Sequence, residues 1–166
     1  KPFSLFVKEG RWMVEAARKH KRVVQVGTQN RSGPAFERAR QFIRDGKLGE
    51  IISIQANYFR NLMPGLGHPP DEEPPADFNW EMFNGPAPER PYNALLAANS
   101  YNHCSFWDYS GGDMAYDAIH QIDLARWLCG VDIPSAAYCT GGRFSRQGAA
   151  ETPDTLQAVF DFLVNP

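Results

Sequence analysis

The stretch that most constrains this fold is residues 61–110, which are rich in Pro, Gly, Asn and aromatic residues. Within it, residues 68–75 read HPPDEEPP. This run excludes both a helix and a central strand, because proline lacks a backbone N–H and clashes with the preceding helical turn. Its many aromatic side chains predict that much of the stretch packs against the protein instead of extending into solvent. Regular helices and strands are therefore expected on either side of it.

The residues before this stretch alternate between helical and extended patterns. Residues 4–20 predict a helix with Ser4 as its N-cap, and the apolar, β-branched run 22–27 predicts a buried strand. A second helix is expected over residues 33–46, because Gly33-Pro34 suits a helix start and Gly46 a helix end. Alternating side chains over 50–60 predict a half-buried strand. A helix followed closely by a strand is typical of an α/β fold.

The residues after the stretch predict one long helix and two more strands. Helical spacing covers 113–129 and ends at Gly130, while apolar and polar residues alternate near 135–144 and 155–164. Together these patterns predict an α/β chain. The first part of the chain is expected to be the end of an α/β unit. A mostly antiparallel, open-faced sheet with helices on one face is expected to follow it.

Composition limits the possible partners. A net charge of −2 gives no strong field for nucleic acid or an anionic membrane, and no apolar run reaches the ~18 residues that span a bilayer. The three cysteines, Cys104, Cys129 and Cys139, form no C-x-x-C motif. Free thiols in a reducing, cytoplasmic compartment are therefore expected, although export of a longer parent protein stays open because the chain does not begin with Met.

The segment with the most candidate chemistry is the predicted helix over 113–129. On such a helix, Tyr116 and Asp117 both lie one turn before His120, and Asp123 lies one turn after it. A histidine flanked by carboxylates suits a general base for a hydroxyl proton. The simpler interpretation, in which His120 and the carboxylates only cap the helix or form salt bridges, fits the same spacing.

Two further positions are candidates for ligand contact. Gln29 and Arg31 follow the predicted strand 22–27, and loops at the carboxyl ends of strands line the ligand crevice of open α/β sheets. Lys1 precedes Pro2, which favours an extended Lys1 whose ammonium group points towards a ligand oxygen. A surface turn and a solvated lysine are the alternative interpretations.

Several other kinds of site are disfavoured. The spacing of His103, Cys104, His120 and Asp123 matches no metal-ligand signature, so no metal is expected. Asp113 and Asp117 lie four apart on one predicted helix and do not flank a sugar from two faces. The sequence also has no G-x-G-x-x-G, so it supplies no phosphate-binding turn for a dinucleotide.

Five motifs in order resemble the glucose–fructose oxidoreductase/inositol dehydrogenase/rhizopine-catabolism (Gfo/Idh/MocA) family of oxidoreductases, over almost the whole chain. They are Lys1-Pro2, the loop 26–31 (VGTQNR), the turn 45–51 (DGKLGEI), the segment 85–93 (GPAPERPYN) after Trp80, and the helix 111–127 with its GGDM and HQIDLARW motifs.

The resemblance implies both a domain organisation and a reaction. Residues 1–31 would be the end of a dinucleotide-binding Rossmann domain, and residues 32–166 a substrate-binding and oligomerisation domain. NAD or NADP would exchange a hydride with a hydroxyl-bearing carbon of a sugar or polyol. Lys1, with Pro2, would contact the cofactor and orient the hydroxyl. His120 would be the acid/base, and Asp123 would bind substrate.

One departure from the family pattern leaves a role open. Members place an Asp four residues before the helix His, where this chain has Tyr116, and Asp117 follows ~100° further around the helix. Either residue is a candidate for the second catalytic group. Two other functions also stay open: a non-catalytic binding or oligomerisation module, and an NAD-dependent glycoside-cleaving enzyme. We expect these residues to be inactive without the rest of a parent enzyme, which we expect to be a homo-oligomer.

Overall fold

The computed structural model describes residues 3–61, 64–97 and 101–162. The chain divides into two compact units. The first unit is formed by Lys1–Phe59, Asp117–Thr140 and Gln157–Pro166, and the second by Arg60–Tyr116 and Gly141–Leu156. The domain boundary expected at residue 31 stays a prediction.

The first helix, α1, runs from Val7 to Lys19 and confirms the helix expected over 4–20. The expected cap, Ser4, is wrong, because the N-cap position is occupied by Phe6. The side chain of Glu9 takes over the capping, since its carboxylate accepts hydrogen bonds from the backbone N–H groups of Leu5 and Phe6. A carboxylate in the first turn is also favoured by the helix dipole.

The second helix, α2, confirms the local signals at both of its ends. It runs from Pro34 to Arg44, with Pro34 at the first helical position, where its missing N–H removes no helical hydrogen bond. After the helix, Gly46 has a φ of 71° and donates its N–H to the carbonyl of Ile43. A left-handed residue at this position is the usual end of a helix.

Two expected strands, 22–27 and 50–60, are wrong as strands. Neither segment belongs to a sheet within the described residues, and their apolar side chains are open to solvent, with Val23 99% and Ile52 90% exposed. A strand is stabilised by backbone hydrogen bonds to a neighbouring strand. The alternating pattern is present in both segments, but no described strand pairs with either of them.

The expected helix over 113–129 is divided in two. Helix α5 runs from Gly112 to Tyr116, in the second unit, and α6 runs from Ala118 to Cys129, in the first. Asp117 lies between them as the N-cap position of α6. The expected end is confirmed, since Gly130 adopts the left-handed conformation at the C-cap.

The two strands expected near the end of the chain are confirmed. Strand β2, Ala136–Gly142, pairs with Thr155–Asp161, which is β4 in chain order. The N–H of Ser135 donates to the carbonyl of Asp161 at one end of the pair. At the other end the N–H of Asp154 donates to the carbonyl of Gly142, so the pair is antiparallel.

The long stretch 61–110 forms the core of the second unit with its aromatic residues, as expected. It contains two short helices, α3 (Trp80–Asn84) and α4 (Ala94–Ala97). Trp80 stacks on Phe83 with ring centroids 5.4 Å apart and meets Tyr92 edge-on at 5.3 Å. Aromatic pairs in these geometries add stability beyond the area they bury. The stretch is therefore held in place although most of it is irregular.

A small parallel ladder in the second unit has no signal in the sequence. Strand β1, Gly65–Gly67, pairs with β3, Gln147–Gly148. A Cβ atom on Gly65 would lie 1.9 Å from the carbonyl oxygen of Gln147, so the approach of the two backbones requires glycine.

The loop before β3 is organised by one carboxylate. Asp154 accepts hydrogen bonds from the backbone N–H groups of Phe144, Ser145 and Arg146, at 2.7–3.2 Å. Slight burial would raise the pKa of Asp154, but these N–H groups and the Thr155 hydroxyl hold it well below its usual range. The ionised carboxylate therefore holds this loop together.

This arrangement predicts an acid-dependent loss of stability. Because the pKa of Asp154 is depressed on folding, its contribution is complete above its unfolded pKa of about 3.9 and disappears as the pH falls through its lower folded pKa. We expect Asp154→Asn to lower the unfolding free energy by about 1–2 kcal/mol at pH 7. Urea unfolding at pH 7 and pH 2 should show the difference shrinking in acid. Asp161→Asn is the control, and an equal loss in both variants would contradict the prediction.

No helix within the described ranges is both long and apolar enough to cross a membrane.

Candidate active site

The centre of the candidate site in the first unit is an ion pair between two residues predicted from the sequence. The guanidinium of Arg31 donates from Nε to Oδ2 of Asp123 at 2.8 Å and from Nη2 to Oδ1 at 2.5 Å. The hydrogen bond to Asp123 raises the pKa of Arg31, with burial acting in the opposite direction. Two parallel bonds fix the orientation of both groups as well as their distance.

This pair joins two elements that are far apart in the sequence. Arg31 belongs to a 3-10 turn, Gln29–Ser32, and Asp123 lies in the middle of α6. The Asp123 side chain is only 13% exposed, whereas that of Arg31 is 42% exposed. The carboxylate is therefore the buried partner, and the arginine reaches it from the surface. Gln29, the third candidate in this region, is the first residue of the same turn.

Helix α6 is also held against α2. The guanidinium of Arg40, on α2, lies over the ring of Trp127, on α6, at 4.4 Å from the ring centroid. A cation at this distance from an indole face is attracted by the ring electrons. The sequence analysis missed this contact, because a single arginine and tryptophan carry no spacing signal.

His120 lies one turn before Asp123 on α6 and its side chain is half-buried. Its Nδ1 atom is buried and has no hydrogen-bond partner among the described residues. Nearly all buried polar atoms in proteins have a partner, so an unpaired imidazole nitrogen calls for an explanation. Any polar contact of the half-buried ring with a ligand would therefore have to use its other nitrogen, Nε2.

The break in the predicted helix changes the surroundings of His120. The backbone N–H of His120 donates to the carbonyl of Asp117 at 3.1 Å, so Asp117 belongs to the first turn of α6. Tyr116 ends α5 in the second unit, where its ring meets Tyr101 and His103 edge-on at 5.8 and 5.5 Å. Tyr116 and His120 are therefore not neighbours on one continuous helix, as their spacing had suggested.

The second unit holds another charged cluster that the sequence analysis missed. Asp113 accepts a hydrogen bond from Arg60 at 2.7 Å and one from Arg146 at 3.2 Å, and all three side chains are less than one-fifth exposed. Burial also lowers the pKa of nearby His103. The three charged residues are separated by 33 and 53 positions, so no local pattern announces them.

Lys1 and Pro2 lie outside the described residues. Within the described part of the chain, no group of three or more His, Cys, Asp or Glu side chains is arranged to hold a metal ion.

One protein family matches the chain at the level of its sequence model. The match, to the family described as "Oxidoreductase family, C-terminal alpha/beta domain", covers residues 41–139, which is more than half of the chain. It confirms the α/β class expected from the alternating patterns. No curated protein matches the chain significantly.

Proposed function

The chain belongs to the Gfo/Idh/MocA oxidoreductase family, and from this premise we propose that its parent enzyme is an NAD(P)-dependent sugar or polyol dehydrogenase. In the oxidising direction a hydride leaves the carbon that bears a hydroxyl group, and the hydroxyl proton leaves to a base. The product is the corresponding carbonyl compound, and the nicotinamide, when bound, supplies the hydride acceptor.

The observation that carries the proposal is the placement of His120. It is half-buried on a helix that is held by Arg31 to the turn Gln29–Ser32 and by Arg40 to α2. A general base has to be fixed in position and accessible through one atom. We propose that Nε2 of His120 takes up the hydroxyl proton and returns it in the reverse reaction.

The neighbouring residues have supporting roles in this proposal. Asp117 and Tyr116 stay alternative candidates for the second catalytic group, and Gln29 is a candidate ligand for a substrate hydroxyl. Arg31 and Asp123 bind each other, so substrate would meet them as a neutral pair. Such a pair recognises hydroxyl groups through its remaining N–H donors and carboxylate lone pairs.

The described ranges contain no phosphate-binding loop for the cofactor. There, no glycine-rich turn joins a strand to a helix, and segment 22–27 is not in a sheet. These residues do not form a phosphate-binding loop by themselves.

The proposed reaction is tested with the intact parent protein. A panel of sugars, polyols and sugar acids is incubated with NAD or NADP, and reduction of the cofactor is followed by absorbance at the nicotinamide band. We expect turnover with at least one hydroxylated substrate at a kcat on the order of 1–10 per second. The proposal fails if the parent neither binds NAD(P)H nor reduces the cofactor with any member of the panel.

Two alternative functions can be distinguished with the same intact parent protein. A non-catalytic binding module is favoured by the mutual pairing of Arg31 and Asp123, which were both expected to contact substrate. Such a module would bind a sugar without any change in cofactor absorbance. An NAD-dependent glycoside-cleaving enzyme would release free sugar from a glycoside without net reduction of the cofactor.

We further propose a cytoplasmic, homo-oligomeric parent. Free cysteines at 104, 129 and 139 support a reducing compartment. The large exposed side chains of Ile52 and Phe59, each 90% exposed, support burial of segment 50–60 against a further strand or a second subunit.

A further inference from the structure

Asn84 directly precedes the segment 85–93, so that Asn84-Gly85 forms the only Asn-Gly pair in the sequence. Asn84 is the last residue of α3, and Gly85 follows it at the C-cap with a φ of 54°, a value that favours glycine. An asparagine before glycine is chemically reactive, because a residue without a Cβ leaves its backbone nitrogen unhindered beside the asparagine side chain. The proposed dehydrogenase reaction makes no use of this pair.

The reaction open to such a pair is the loss of ammonia. The backbone nitrogen of Gly85 gives up its proton to solvent and attacks Cγ of Asn84, so that a C–N bond forms and the bond from Cγ to Nδ2 breaks. The amide nitrogen leaves as ammonia, taking a proton from water. Water then opens the resulting succinimide at either of its carbonyl groups and gives aspartate or isoaspartate. The sum is asparagine plus water to an acidic residue plus ammonia, without any oxidant or reductant.

The side chain of Asn84 is held at both ends of its amide group. Nδ2 donates to the carbonyls of Ala87 and Pro88, at 3.3 and 3.0 Å, and Oδ1 accepts a hydrogen bond from the hydroxyl of Tyr109. The two carbonyls fix which end is the nitrogen, since an amide oxygen in its place would face two further acceptors. The Tyr109 hydroxyl is therefore the donor in its bond to Oδ1.

Tyr109 is itself fixed in place within the same unit. Its ring lies against that of Phe83, the neighbour of Asn84 on α3, with the ring centroids 6.3 Å apart. Burial raises the pKa of Tyr109, against the charge of Arg90 and the hydrogen bond that Arg90 forms with it. The hydroxyl therefore keeps the proton that it donates to Asn84.

The backbone at Asn84 also opposes the reaction. The N–H of Gly85 donates to the carbonyl of Glu81 at 2.9 Å, as part of the helix end. Closing a succinimide ring requires rotation about the Cα–C bond of Asn84, which turns this nitrogen towards Cγ and breaks that hydrogen bond. The turn that follows α3 therefore has to open before the pair can react.

We propose that Asn84 is a latent deamidation site that the fold keeps unreactive, and that the hydroxyl of Tyr109 is the contact that holds it closed. Asn84 reacts from a locally open form of the turn 84–88, and the hydrogen bond from Tyr109 lowers the population of that form. The reacted turn does not close again in the same way, because a carboxylate in place of the amide would face the carbonyls of Ala87 and Pro88. This modification site is independent of the dehydrogenase function.

The proposal is tested by peptide mass spectrometry after the intact parent protein has been incubated at mildly alkaline pH, folded or in guanidinium chloride. Cleavage after Glu81 and Glu89 releases residues 82–89, and chromatography separates the asparagine, aspartate and isoaspartate forms of this peptide. We expect Asn84 to react at least about tenfold more slowly in the folded protein, with both acidic products formed. Equal rates in the folded and unfolded protein would overturn the proposal.

Two variants test the role of the hydroxyl. Tyr109→Phe should raise the rate in the folded protein about fivefold, the change in population expected from one lost hydrogen bond. Tyr138→Phe, at an exposed position on β2, should leave the rate unchanged. In guanidinium chloride both variants should react as fast as the original protein, because the hydrogen bond exists only in the fold.

Circular dichroism at the incubation temperature shows which variants are folded. An unchanged rate in folded Tyr109→Phe, or the same increase in Tyr138→Phe, would refute the assignment to Tyr109. If Tyr109→Phe does not fold, the ratio of the rates in the folded and unfolded original protein decides whether the site is latent.

Discussion

Replacing His120 by Gln should lower the kcat of the proposed parent dehydrogenase about 10²–10⁴-fold, the usual contribution of a general acid or base. Glutamine keeps the polarity and approximate volume of the side chain but takes up no proton at neutral pH. The KM for substrate should change far less, because proton transfer belongs to the transition state more than to ground-state binding. Initial rates of cofactor reduction at saturating NAD or NADP measure both constants.

The matched control is His20→Gln. His20 is an exposed histidine at the C-cap of α1, and its replacement should leave kcat within about twofold of the original value. A second variant, His120→Ala, separates chemistry from folding, since added imidazole should restore part of its activity if the lost group is a base. Full activity in His120→Gln would rule out the acid/base role. Loss without any imidazole rescue, together with a lowered melting temperature, would indicate a structural histidine.

Replacing Arg31 by Ala should lower the unfolding free energy by about 2–4 kcal/mol. The reason is that Asp123, only 13% exposed, is left without its bidentate partner, and an unpaired buried carboxylate is costly. The estimate is below the value for a fully buried pair because Arg31 itself is 42% exposed and already partly solvated. Urea unfolding followed by tryptophan fluorescence gives the free energy.

A double-mutant cycle tests whether the two residues act through each other. Asp123→Asn should cost less than Arg31→Ala, because it leaves an arginine that water can reach. The double variant should cost less than the sum of the two single changes. Arg31→Lys should recover only part of the loss, since an ammonium cannot form the two parallel hydrogen bonds. Additive losses would show that the contact contributes no coupling energy.

The exposed pair Arg11–Glu15 serves as the reference for this cycle. Its side chains are 63% and 56% exposed and lie one turn apart on α1. Arg11→Ala should cost no more than about 0.5 kcal/mol, the usual value for such a pair. Comparable losses from Arg11→Ala and Arg31→Ala would contradict the claim that burial of Asp123 sets the size of the effect.

The effect of Arg31→Ala on kcat/KM shows whether the ion pair contributes to function as well as to stability. If Arg31→Ala reduces stability but leaves kcat/KM of the folded protein unchanged, the pair only holds the turn Gln29–Ser32 on α6. If kcat/KM falls as well at a temperature where the variant is folded, the pair also orients His120 or the substrate. Activity and unfolding are therefore measured on the same preparations.

Features that depend on a few neighbouring residues were readable from the sequence. Pro34 and Gly46 mark the ends of α2, and Gly130 marks the end of α6, because each sets its own backbone angles or removes its own N–H. The strands β2 and β4 also lie where they were expected. The family assignment rests likewise on motifs in order along the chain, and the match over 41–139 confirms it.

What the sequence alone could not determine depends on residues brought together from distant positions. Arg31 and Asp123 each fitted a substrate ligand, and only the fold shows that they bind one another across 92 positions. Segments 22–27 and 50–60 carry a strand pattern, but a strand also needs a neighbour, which local spacing does not supply. The break at Asp117 has the same origin. Helical spacing describes one continuous element, whereas the tertiary structure places its two halves in different compact units.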